Sequence, residues 1–187
     1  QPNGCCGILK FRDLGQSRNL DPIQQDEKPK PIKTSCNNIW MGGLLSFRTE
    51  KDVIGEIKVP ADSYYGAFTE RAKNNFKISG IKAHKEFLVA LATIKKAAAL
   101  ANIELAQLDK KFGNAIITSA DEVIEGKFDD YFILDVYQAG AGTPFNMNCN
   151  EIIANRATEL LGGKLGQYIV NPNNYVNMAQ STNDVIP

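Results

Sequence analysis

Between His84 and Gln107 the apolar residues Leu88, Leu91, Ile94, Ala98, Ala101 and Leu105, continued by Leu108, recur at intervals of three and four. That spacing predicts one long amphipathic helix, with Lys85, Glu86, Lys95, Lys96 and Glu104 mainly on its polar side. Its Ala-rich centre lets a neighbouring helix approach closely. A second helix is predicted after Asp109, a capping residue, with Ile116, Ile117, Ala120, Val123 and Ile124 facing inward and Gly126 ending it. A third runs from about Pro144 to Leu161 and is closed by Gly162-Gly163. Upstream, "FRTEKDVIGEIKVPADSYYGAF" holds short β-prone pieces (Val53-Ile54, Ile57, Val59) punctuated by Gly55, Pro60 and Gly66, the pattern of a small hairpin and turn. Residues 1–46 mix Cys, Gly, Asn, Pro and charge with no period, which predicts a disordered extension. The class is mainly α with a minor β element.

Composition narrows the partners. Of 187 residues, 43% are apolar and 22% charged, as in soluble globular proteins with one core. The 21 basic and 21 acidic residues cancel, so no charged field recommends nucleic acid or a membrane surface, and a small molecule is the expected partner. Cys5, Cys6, Cys36 and Cys149 show no C-x-x-C spacing, which fits a reducing interior. No apolar run is long enough to span a bilayer and no secretory signal opens the chain, so a cytoplasmic location is expected. The chain opens on Gln1 and is read as a fragment or a processed form. "MGGLLS" at Met41 to Ser46 fits the N-myristoylation pattern only if Met41 is the true start, and is read as a chance match.

Several chemistries are missing. The single histidine, His84, stands at the start of the long helix as a surface or capping residue, so no Ser-His pair can form. No cluster has metal-ligand spacing, and neither a P-loop nor a G-x-G-x-x-G occurs. Cys149 has no basic residue close in sequence and is read as buried and inert.

Two stretches rich in uncharged donors remain. In "YQAGAGTPFNMNCNEIIANRA", Gly140 and Gly142 permit close backbone approach, Thr143 suits an N-cap, and Pro144 suits the first helical position. A helix N-terminus of this kind is an anion site. Asn146 and Asn150 share a face there, while Asn148 points elsewhere. The second stretch is "NPNNYVNMAQSTNDVIP". Either Ser181 caps a helix that Pro187 then kinks, with Asp184 in place of the usual Glu of a capping box, or Pro187 opens a helix and 181–184 is a turn. Both placements leave backbone amides near Ser181, Thr182 and Asn183 available to a ligand. Hydroxyl and amide donors with few charges suit a carboxylate held by hydrogen bonds.

From Phe47 to Pro187, through "VPADSYYGAFTERAKNNFKISG", "QAGAGTPFNMNCNEIIANRA" and "NPNNYVNMAQSTNDVIP", the chain resembles the N-terminal part of the aspartase/fumarase family. "QAGAGT" is similar to the aspartase form, and Asn171-Pro172-Asn173-Asn174 stands where fumarases usually carry HPND. Pro144, Asn174 and Tyr175 depart from the residues common at their positions. The resemblance implies a helical N-terminal domain with a small hairpin over 47–178, and at 179–187 the start of a long central helix bundle that lies beyond this chain. It implies reversible deamination of L-aspartate to fumarate and ammonia through an aci-carboxylate, with Thr143, Ser181 and Thr182 on the β-carboxylate and Asn183 near the amino group. No catalytic residue is expected in this stretch, because the family's base, a serine on a glycine-rich loop, lies downstream. The stretch alone is therefore expected to be inactive. A homotetramer is implied, with no metal site and no cofactor apart from possible activation by a divalent cation. The alternatives are fumarase-like hydration of fumarate to malate and a non-catalytic, lyase-like structural protein.

Overall fold

A computed structural model describes residues 46–187. Cys5, Cys6, Cys36, the expected extension and the "MGGLL" of the myristoylation pattern lie outside the described residues. The order is β1 (Phe47–Lys51), β2 (Glu56–Pro60), α1 (Ala67–Asn75), α2 (Lys85–Glu104), α3 (Lys110–Ile124), α4 (Thr143–Leu160) and α5 (Thr182–Val185). The fold is mainly helical with one two-stranded antiparallel sheet. None of the described helices is long and apolar enough to cross a membrane.

The hairpin differs in detail from its expected form. Val53 and Ile54 occupy the exposed turn, and the partner of Glu56–Pro60 is Phe47–Lys51, with Arg48 opposite Val59. Asp52 holds that turn by accepting from the amides of Ile54 and Gly55. Arg48 fixes the exit: its guanidinium donates to the carbonyls of Pro60 (2.9 Å), Ser63 (2.8 Å) and Tyr65 (2.7 Å). That fork of fixed donors matches three carbonyls at once and turns the chain into α1.

Helix α1 starts on a buried carboxylate from another element. Glu151 of α4 accepts from the amides of Gly66 (2.9 Å), Phe68 (2.9 Å) and Thr69 (3.1 Å) and from the Thr69 hydroxyl (2.6 Å). Burial pushes the Glu151 pKa up, while the four donors and the positive end of the helix work against that rise. Gly66 has to be glycine, because a Cβ there meets the Tyr168 hydroxyl and the Glu50 and Glu151 carboxylates.

The core lies among α2, α3 and α4, with Leu88, Leu91, Ala92 and Ala99 against Ile116, Ala120, Val123, Ile152, Ile153 and Ala157. Asp109 caps α3 as expected, accepting from the Lys111 amide at 2.7 Å. The phase of α2 is different from the periodic reading. Its buried face is Leu88, Leu91, Ala92, Lys95, Ala99 and Asn102, whereas Ile94 and Leu105 are 39% and 68% exposed. Alanine is nearly neutral in the apolar pattern, so the stripe could be traced along either edge of the Ala-rich centre. Packing against α3 and α4 selected the edge that carries Lys95.

The segment before α2 is tied down by Asp135, which accepts from the amides of Ser79 (2.6 Å), Gly80 (2.7 Å) and Tyr137 (2.8 Å) and from the Ser79 hydroxyl (2.9 Å). Burial works to raise its pKa, but these donors outweigh it and hold the carboxyl well below the usual carboxylate range. A folded-state value below the unfolded one means that the stabilisation is full above about pH 4 and is lost as pH falls further. Asp135→Asn is therefore expected to lower the melting temperature near neutral pH, with the gap to the parent closing in acid. An acid-independent gap would remove the charge from this explanation.

Candidate functional site

The two donor-rich stretches meet at the N-terminus of α4. Gly142, not Thr143, occupies the N-cap position, with a left-handed φ of 75°, and no side chain caps the helix. Thr143 opens the helix and Pro144 follows it, so the Thr143 hydroxyl is not consumed by capping. The amides of Thr143 and Phe145 have no carbonyl one turn back to pair with, and Pro144 lacks an N–H. A Cβ on Gly142 would stand 2.7 Å from the Ile186 side chain, so glycine is needed for both its φ and the close approach of α5.

Ser181 caps α5, accepting from the Asn183 amide at 3.3 Å. Asp184 makes no reciprocal bond, so the capping-box form is not realised. Thr182 is half-buried, and its hydroxyl oxygen accepts from Asn146 Nδ2 at 3.0 Å. Asn183 is exposed. Ser181 and Thr182 thus both accept from fixed N–H donors, which leaves the proton of each hydroxyl available to an incoming acceptor.

Thr143 also lines a groove of about 670 Å³ with Arg71, Met147, Tyr168 and Asn173, which Ser181, Thr182 and Asn183 do not line. The link between Thr143 and the 181–183 turn runs through the first turns of α4, by the Gly142–Ile186 packing and the Asn146–Thr182 bond.

Behind this junction lies a residue that periodicity placed on the polar side. Lys95 of α2 is fully buried, and its ammonium donates to Asn146 Oδ1 (2.6 Å), Asn177 Oδ1 (2.9 Å) and Gln180 Oε1 (2.9 Å). Burial pushes its pKa down to about 8. Asn177 Oδ1 also accepts from Asn146 Nδ2 (3.1 Å) and Asn150 Nδ2 (3.2 Å). The expected split of the asparagines is observed: Asn146 and Asn150 converge on Asn177, while Asn148 donates to the Tyr131 carbonyl. Around the turn itself, Asn177 donates to the Gln180 carbonyl, and Gln180 to the carbonyls of Val176 and Met178. One signal for this centre was present in the sequence, since Lys95 falls seven residues from both Leu88 and Asn102.

His84 stands exposed at the N-cap position of α2 with no side-chain bond, and Cys149 is buried with its thiol pushed up to about 12 by desolvation. Among the described residues no group of three His, Cys, Asp or Glu side chains is placed to hold a metal ion. The NPNN stretch is ordered as a π-helical turn, Pro172–Val176, capped by Asn171, whose side chain accepts from the amides of Asn173 and Asn174.

The profile of a protein family described as Lyase matches residues 55–187. The aspartate ammonia-lyase of Bacillus subtilis is 53% identical over 148 residues, which cover 79% of this chain and 31% of that protein. A class II fumarate hydratase of Halobacterium salinarum is 55% identical over 141 residues, covering 75% of this chain and 30% of that one. Among solved structures, a fumarate lyase:delta crystallin from Brucella melitensis in native form superposes with a TM-score of 0.74 at 47% identity, covering 76% of this chain and 34% of that one. The chain spans about a third of the length of these relatives.

Proposed function

We infer, for a chain that belongs to the aspartase/fumarase family of lyases, that the complete protein eliminates ammonia reversibly from L-aspartate to give fumarate. In this reading Thr143, Ser181 and Thr182 bind the β-carboxylate and Asn183 lies near the amino group. Removal of the Cβ proton places two negative charges on that carboxylate, and donors fixed in advance stabilise them without reorganising. The observation that carries the reading is the hydroxyl pair of Ser181 and Thr182, each already accepting from a fixed N–H and so able to donate outward. The base is taken to lie outside this chain, and the working enzyme to be a cytoplasmic homotetramer without a resident cofactor. The aspartase form of "QAGAGT" and the absence of HPND at 171–174 support aspartate over malate. Relatives named class II fumarate hydratase support the second reading, hydration of fumarate to malate.

An ultraviolet assay of the complete protein separates these readings. L-aspartate is expected to generate the absorbance of fumarate, and L-malate is not. The reverse pattern would establish the fumarase reading, and silence with both substrates would favour a structural, lyase-like protein.

A further inference from the structure

Amide side chains are ambiguous hydrogen-bonding groups, since either end can face a partner. An ammonium is not, because it carries donors only. Lys95, protonated at neutral pH, therefore determines which way the amides around it face. Asn146 has to present Oδ1 to Lys95 Nζ, 2.6 Å away, and this directs its Nδ2 toward Asn177 Oδ1 and Thr182 Oγ1. The Thr182 hydroxyl oxygen, accepting a hydrogen bond from Asn146 Nδ2, has no need to donate inward. Among the described residues nothing accepts its proton.

We propose that Lys95 is a positioning residue that acts through Asn146: the chain Lys95 Nζ–H to Asn146 Oδ1, then Asn146 Nδ2–H to Thr182 Oγ1, sets Thr182 as an outward donor to a substrate carboxylate. This rests on the reading of Thr182 as a carboxylate ligand and adds the reason why its proton points at the substrate. Lys95 also donates to Asn177 and Gln180, which brace the residues immediately before Ser181. A buried lysine without a carboxylate partner costs stability, and methionine would fill the same space at lower cost. Burying an ammonium makes sense here because three amide oxygens have to be oriented at once. Hydrophobic residues cannot specify the direction of a hydrogen bond.

The test uses the complete protein. Asn146→Asp keeps the side chain's size and gives Lys95 a counter-ion, which offsets the bond to Asn177 Oδ1 that the variant loses. The introduced carboxylate has no N–H, so Thr182 must donate inward and its proton is withdrawn from the substrate. The expected result is a fall in kcat/KM of about a hundredfold, the scale of a lost oxyanion donor, with a melting temperature close to the parent's. Lys95→Met frees the Asn146 amide to flip, and it too is expected to lower kcat/KM. Asn146→Asp combined with Thr182→Val is expected to be no worse than Thr182→Val alone, within about twofold, whereas Lys95→Met, which also loosens the 177–180 turn, adds a further loss through Ser181. If the relay were merely structural, the Asn146→Asp and Thr182→Val losses would multiply, or stability would fall with unchanged kinetics, and either result would overturn the proposal. Parent-like kinetics in Asn146→Asp would also overturn it. If Thr182→Val alone leaves kcat/KM unchanged, the carboxylate reading itself fails and the relay falls with it; if Thr182→Val is impaired but Asn146→Asp is not, only the relay fails.

Discussion

Thr143→Val in the complete protein is expected to lower kcat by about a hundred- to a thousandfold, the range seen when one donor to a developing oxyanion is removed. Valine keeps the branched shape, and the helix loses no cap, because Gly142 occupies that position and the Thr143 hydroxyl makes no capping bond. The melting temperature should therefore barely move, with a stability change within about 0.5 kcal/mol. Ser181→Ala is the companion. It removes a hydroxyl of the same proposed role, but it also removes the acceptor of the Asn183 amide, and so is expected to lose about 1 kcal/mol in addition to the kinetic effect. Steady-state kinetics alongside thermal melts separate the two roles. Normal turnover in both variants would reduce these hydroxyls to structural groups.

The largest expected effect on stability is at Glu151. The residue is 4% exposed, and its carboxylate is the common acceptor for the Gly66, Phe68 and Thr69 amides and the Thr69 hydroxyl. Glu151→Ala strands these donors beside a cavity and removes the negative charge from the N-terminus of α1. A loss of about 3 to 5 kcal/mol is expected, as when one partner of a buried charged network is deleted. Glu151→Gln should cost less, since one oxygen remains to accept, but its amide N–H₂ opposes donors and cannot restore the network. Chemical denaturation measures the loss, and hydrogen exchange should show the amides of α1 deprotected first. A loss below about 1 kcal/mol would mean that water replaces the carboxylate without difficulty.

The two kinds of site residue differ in how they could be read. Thr143, Ser181 and Thr182 stand in runs whose Gly, Pro, Ser and Asn chemistry is local, and local chemistry is legible from spacing. The capping of α3 by Asp109 and the start of α4 at Gly142–Pro144 belong to the same class, although the N-cap fell one residue earlier than Thr143. The π-helical turn at Pro172–Val176 was not anticipated, because its hydrogen-bond pattern has no periodic signature in five residues. Helix α1 was also missed, since its start depends on Glu151, more than eighty residues away in the chain.

What the sequence determined by itself is the inventory: long helices, a hairpin, two donor-rich turns and the family to which they belong. Each follows from short-range preferences of the backbone and of neighbouring side chains. Only the tertiary structure decided which edge of the Ala-rich α2 is buried, and with it the place of Lys95. The acceptors that make a buried ammonium tolerable are Asn146, Asn177 and Gln180, which lie 51, 82 and 85 residues further along the chain. No local pattern reports on partners at that distance. Desolvation pulls the lysine toward water and three amide oxygens hold it inside, a balance that exists only once α2, α4 and the 177–180 turn have come together.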